Sequence, residues 1–248
     1  MKKLLWVCLL ALLPVSSLMA SGAALDLEKA DVDVHNKQSL QRGAKYFVNY
    51  CMGCHSLKLL RYNRLGKDLG LTDQQVIDNL IFTVNAEGAP AKPGDLMTNA
   101  IPVKQAAEWF GAAPPDLSVT GRLRGGDWIY SFLKAFYADP SRPTGVNNTV
   151  FANVGMPHVL WELQGMQQRV EHKDEDGHVT HQLVLPEQGN VSPVEYDQIV
   201  RDLTTFLVYV SEPAQLHRKA IGVWVLLFLG IFFIVAYFLK KEYWKDVH

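Results

Sequence analysis

The chain has 248 residues, 48% of them hydrophobic and 20% charged, with a formal net charge of −1. That is room for one large domain or two small ones of globular composition. No phosphate loop, Ser/His/Asp triad or nucleic-acid patch is present, which excludes those classes and any nucleic-acid partner. The average conceals two apolar ends, which have to be set apart before the middle is read.

Met1-Lys2-Lys3 leads into the apolar stretch 4–13, too short to span a bilayer, and then into small residues as far as Ala23. A basic start, a short apolar run and a small-residue zone predict a signal peptide over 1–23. Ser21-x-Ala23 fits the cleavage rule, with Ala20 as the alternative site. Its loss removes Cys8 and leaves Cys51 and Cys54. A pair two residues apart cannot staple an exported domain, so the fold must stand on its core, a cofactor or partners.

Residues 24–38 read as a polar, extended lead-in. A helix over 39–50, capped by Ser39, delivers Cys51 at its end. Cys51-Met52-Gly53-Cys54-His55 follows. Thr72-Asp73-Gln74-Gln75 has the form of a capping box and predicts a second helix. Residues 86–116, rich in Gly, Pro and Ala, read as loop with one helical turn near 105–110. Asp127 is expected to cap an aromatic helix carrying Trp128, Tyr130, Phe132, Phe136 and Tyr137, before loop returns over 139–158.

Alternation over 167–185 around Asp176-Gly177 predicts a β-hairpin. Ser192-Pro193-Val194-Glu195 is a second capping box with proline at the first helical position. The stripe Tyr196, Ile199, Val200, Leu203, Phe206, Leu207, Val210 follows at helical spacing, and is expected to pack against the 39–50 helix. Glu212-Pro213 ends it. Residues 220–239 carry no charge. At about 1.5 Å per residue they match the roughly 30 Å hydrocarbon core, which predicts one transmembrane helix in contact with lipid. Lys240, Lys241 and Lys245, with Tyr243 and Trp244, form a tail over 240–248 suited to the cytoplasmic interface.

With Lys2, Lys3 and the tail's three lysines, Glu242 and Asp246 set aside, the exported body carries a net charge of −4. A mildly acidic body favours a basic soluble partner by electrostatic steering.

Cys-x-x-Cys-His is the haem c attachment pattern. Each thiol adds across one vinyl group, and the two-residue gap matches the separation of the vinyls. His55 is then placed under the iron as proximal ligand. A redox dithiol and half a zinc site are the rival readings. Export, and the lack of a second cysteine pair or a βαβ pattern, weigh against both.

A methionine opposite histidine is usual for electron-transfer cytochromes and raises the potential. The candidates are Met52, Met97, Met156 and Met166. Met52 lies on the wrong side of the attachment loop, and Met97 and Met166 sit in polar surroundings. Met156 lies in Asn153-Val154-Gly155-Met156-Pro157-His158, where glycine permits close approach to a macrocycle and proline stiffens the loop. His158 is the rival ligand. Arg122 and Arg124 are candidates for haem propionates, since guanidinium matches carboxylate geometry. Trp109, Trp128, Tyr130 and Phe132 are candidate haem walls.

Gln41-Arg42-Gly43, Tyr50-Cys51-Met52-Gly53-Cys54-His55-Ser56, Ala113-Pro114-Pro115-Asp116-Leu117-Ser118, Arg122-x-Arg124-Gly125-Gly126, Pro143-Thr144-Gly145 and Gly155-Met156-Pro157 occur in this order. With Ser211-Glu212-Pro213 and the C-terminal span, they resemble the cytochrome c1 family over the whole mature chain. The resemblance implies a mostly α cytochrome c-type haem domain over 24–219, with long loops, a small β-hairpin and one transmembrane helix. It implies one covalent haem c, with Met156 as axial ligand, Arg124 facing the propionates and Pro115 in the pocket. It also implies a subunit of a dimeric cytochrome bc1 complex, ubiquinol–cytochrome c reductase. There the haem takes electrons from the Rieske iron–sulfur protein, beside cytochrome b, and passes them to a soluble cytochrome c. The lean loops look bacterial, which puts the haem domain in the periplasm on the inner membrane. Family members commonly carry more prolines after the methionine than Pro157-His158-Val159 provides. An anchored carrier for a terminal oxidase, and a haem enzyme using His158, are the competing functions.

Overall fold

The computed structural model describes residues 27–84, 88–173 and 179–247; the expected signal peptide and Asp176-Gly177 lie outside the described residues. The fold is mostly α. Its first helix, α1 (Lys37–Tyr46), is capped by Asn36, whose side chain accepts from Ser39 N at 3.1 Å. Ser39, expected as the cap, instead lies inside the helix, buried, and donates to Asp202 Oδ1 at 2.6 Å. Asn36 takes the cap because its side-chain oxygen satisfies the orphan N–H of Ser39, three residues into the helix. The helix continues as a π-turn, Phe47–Cys51, closed by Met52 N to Phe47 O at 2.9 Å. That wider turn sets the position of Cys51, as π-turns often do at functional sites.

Strand β1 (Leu57–Arg61) runs into α2 (Tyr62–Leu69), which ends on Gly70 at φ +75°, a left-handed stop that glycine makes without strain. The capping box of Thr72 and Gln75 opens α3 (Asp73–Leu80) as expected. Strand β2 (Leu96–Met97) pairs antiparallel with β1, and α4 (Val103–Phe110) occupies the expected helical turn. Two short helices follow, α5 (Thr120–Arg124) and α6 (Gly126–Lys134).

Asp127 does not cap α6. Its two oxygens instead hold the lead-in, accepting from Ala30 N at 2.9 Å and Lys29 Nζ at 2.6 Å. Phe136 and Tyr137, expected on this helix, lie on strand β3 (Phe136–Ala138), which pairs antiparallel with β4 (Val146–Asn148) inside the expected loop. After α7 (Trp161–Gln164), β5 (Gln168–Lys173) and β6 (Val179–Val184) form the expected hairpin, exposed on most of both strands.

Helix α8 (Pro193–Ser211) opens on the Ser192/Glu195 capping box with Pro193 in the first turn, and most of it is buried. It packs on α1, α5, α6 and α7. Against α1 the approach is close: a Cβ at Gly43 would lie 2.2 Å from the Asp202 carbonyl oxygen. At this crossing Arg42 grips the Asp202 carboxylate with Nε at 2.6 Å and Nη2 at 2.9 Å. The main core is built around α1, α2 and α8, while Phe136, Val146 and Val154 form a second, smaller cluster. Finally α9 (Gln215–Tyr243) projects with no residue buried, long and apolar enough to cross a membrane.

Candidate haem site

The end of α1 and the chain after it build one side of the site. Cys51 is buried and Cys54 exposed, both free. Burial, reinforced by the neighbouring Cys54, pushes the Cys51 thiol up to about 12. A redox dithiol works through a thiolate of lowered pKa. Cys51 has the opposite character. Among the described residues, no three His, Cys, Asp or Glu side chains gather into a metal-binding group.

His55 is fixed from a distance. Its Nδ1 lies 2.7 Å from the Pro115 carbonyl oxygen, sixty residues along the chain. A carbonyl only accepts, so Nδ1 carries the proton and Nε2 keeps its lone pair. This is the second-shell arrangement that orients metal-bound histidines. Burial lowers the His55 pKa, opposed by the Pro115 carbonyl and Asp116, which favours the neutral ring that ligates iron.

The strip carrying Pro115 is stapled to the residues after His55. Leu117 N donates to Ser56 O at 3.0 Å, Lys58 N to Asp116 Oδ2 at 2.9 Å, and Leu59 N to Ser118 Oγ at 3.1 Å. That pairing explains the Ala113–118 run as a brace for the histidine.

A second group of expected pocket residues forms an aromatic ladder. Arg124 lies over the Trp128 ring at 5.0 Å, and Trp128 stacks on Phe132 at 5.0 Å. Phe132 meets Phe136 edge-on at 5.2 Å, and Phe136 stacks on His158 at 5.0 Å. Half-buried Met156 packs on the same cluster as Phe136, together with Met166. The ladder therefore joins Arg124 and Trp128 to the Met156 loop. Arg122 is exposed, and neither arginine has an ion pair among the described residues, which leaves both free for carboxylates.

Several expectations change. Met97 is fully buried rather than polar, paired in the β1–β2 ladder, and Met166 packs against the small cluster of Phe136, Val146 and Val154. Met52 is core, with its sulfur accepting from the Tyr62 hydroxyl at 3.5 Å. Tyr130 is no haem wall: it is buried within a charged cluster of Lys134, Asp197 and Arg201. Trp109 is 64% exposed and its only ring partner among the described residues is Phe110. His158 is 4% exposed, and burial, opposed by Gln164 and Gly165, takes it down to about 4. Its ring stacks on Phe136, and its buried Nε2 has no hydrogen-bond partner among the described residues.

The spacing of two free thiols, the adjoining histidine with a bare Nε2 and the apolar ladder together fit a covalently held haem. The model of the family described as "Cytochrome C1 family" matches residues 28–247. The chain belongs to the cytochrome c1 family. Haem c is the family's cofactor, and electron transport its role. Cytochrome c1 of Allochromatium vinosum is 52% identical, covering 100% of both chains. A protein of Nitrosomonas europaea named ammonia monooxygenase gamma subunit is 44% identical over 92% of each chain. A Bradyrhizobium diazoefficiens protein named cytochrome b/c1 is 28% identical, covering 86% of this chain and 34% of its own. With these bacterial relatives, α9 fits a single-pass anchor in the inner membrane.

Proposed function

We propose that this chain is the haem c subunit of a bacterial cytochrome bc1 complex, taking electrons from a Rieske iron–sulfur protein and passing them to a soluble cytochrome c. Cys51 and Cys54 would hold the haem by thioethers, and His55 and Met156 would bind its iron. Arg124, with Arg122, would pair with the propionates, and Pro115 and Trp128 would line the pocket. When bound, the haem supplies a one-electron carrier. The chain's own residues do the rest. Pro115 holds the His55 ring in its ligating tautomer, and the Trp128–Phe132–Phe136 ladder offers an apolar surface that would exclude water from a bound haem. A thioether ligand raises the potential.

The domain layout follows: a leader over 1–23, a periplasmic haem domain over 24–219, a span over 220–239 within the longer α9, and a cytoplasmic tail over 240–248. The observation that carries this reading is the His55–Pro115 bond beside two free cysteines in a chain of this family. Cytochrome b as a neighbour is supported by the relative whose name joins b and c1.

The relative named as a monooxygenase subunit supports a second reading, the same anchored haem relay serving a monooxygenase. A reduced-minus-oxidised spectrum after mild detergent extraction from native membranes separates the two. Covalent c-haem with stoichiometric b-haem supports the bc1 reading. Haem c without haem b, from an intact preparation, contradicts it.

A further inference from the structure

The backbone over 154–157, which carries Met156, makes no hydrogen bond among the described residues. Its position comes from what precedes it. There two asparagines in β4 are buried, Asn148 at 1% and Asn147 at 8% exposure. Burying an amide is costly unless it is satisfied, and both are.

Asn148 Nδ2 donates to the Phe132 carbonyl at 2.8 Å. Its Oδ1 accepts from Val150 N at 2.9 Å and Phe151 N at 3.1 Å. Asn147 Nδ2 donates to Asp139 Oδ2 at 2.9 Å, while its Oδ1 accepts from Asn148 N at 2.9 Å and Asn153 N at 2.8 Å. Asn153 itself sits at φ +61°, a left-handed turn that asparagine tolerates. Arg142 Nη2 donates to its carbonyl at 3.4 Å. The Phe151 ring then meets Trp128 at 6.3 Å, edge-on.

Asn148 therefore ties residues 150 and 151 to α6 at Phe132, which stacks on Trp128, and Asn147 ties Asn153 to Asp139 just after β3. Beyond Asn153, Pro157 fixes its own φ directly after Met156. A hydrophobic residue could fill the same space but could not bridge the three backbone groups that Asn148 joins, or the two backbone N–H groups and the Asp139 carboxylate that Asn147 joins.

We infer that Asn148 and Asn147 are positioning residues that aim the Met156 loop at the haem iron. The inference rests on the reading of Met156 as axial ligand. Purified holoprotein in detergent provides the test, using Asn148→Ala, Asn147→Ala and Met156→Leu. The readouts are the covalent haem band, the weak red-edge absorption that ferric haem shows with a thioether ligand, and the reduction potential.

Both asparagine variants are expected to keep the covalent haem, lose much of the red-edge band and shift the reduction equilibrium at least tenfold toward the oxidised form. Tenfold corresponds to about 59 mV for one electron. If Asn148→Ala is not recovered, Asn147→Ala carries the test, because it leaves the three Asn148 bonds in place. An asparagine that served only general stability would lower the melting temperature with band and potential unchanged. That result, alongside a lost band in Met156→Leu, overturns the inference alone. A band that persists in Met156→Leu overturns the ligand reading and the inference with it.

Discussion

Replacing Gly43 by alanine drives a methyl group of α1 into the backbone of α8. The added Cβ would stand 2.2 Å from the Asp202 carbonyl oxygen, 2.7 Å from Phe206 Cβ and 2.8 Å from the Asp202 carbonyl carbon. Ordinary contact begins near 3.4 Å, so the helices must part by roughly 1 Å. Two of those three atoms are backbone and cannot rotate away. Overpacking costs about 1–3 kcal/mol, and the upper half of that range applies to a backbone obstacle. Alanine's better helix propensity offsets about 1 kcal/mol. The net loss is about 1–2 kcal/mol, or ~2–8 °C in Tm for a domain of this size. A thermal melt of detergent-solubilised holoprotein, followed by circular dichroism, reads it. A Gly43→Ala protein that melts at or above the wild-type temperature refutes the close crossing.

Two further outcomes follow from the charged groups. Arg42→Leu leaves the Asp202 carboxylate, 1% exposed, without a charge partner. Ser39 and Gln198 still donate to it, so urea denaturation should show a loss near the low end of the range for broken buried pairs, about 3 kcal/mol. Asp197 is held at about 2: burial opposes ionisation, but the Tyr130 hydroxyl, Lys134 and Arg201 override it. A folded pKa below the unfolded value, near 4, stabilises above pH 4 and loses that contribution as pH falls from 4 toward 2. Melts at stepped pH should therefore show a flatter acid limb for Asp197→Asn than for wild type, and equal slopes would refute the assignment.

What could be read from the sequence was local. The two capping boxes, at Thr72 and Ser192, depend on residues three apart and appear in the fold as expected. The spacing of Cys51, Cys54 and His55 is likewise a short-range pattern, as is the uncharged run inside α9. The packing of α1 on α8 followed from two apolar stripes. What the sequence hid was long-range. Ser39 is an ordinary cap residue, and only Asp202, 163 positions away, draws it into the core. Asp127 likewise looks like a cap until the lead-in's Lys29 and Ala30 claim its oxygens. Phe136 and Tyr137 continue a helical aromatic spacing, yet pairing with Asn147 and Asn148 makes them strand. The Pro115 brace on His55 and the asparagine anchors of the Met156 loop have no periodicity to reveal them.

The central claim is covalent haem on Cys51 and Cys54 with His55 at the iron. Acid–acetone extraction of the purified chain, followed by peptide mass mapping, tests it most directly. A peptide containing residues 51–55 that keeps the mass of one haem, with both cysteines as thioethers, is the expected result. A peptide of unmodified mass, or haem removed by the extraction, would contradict it.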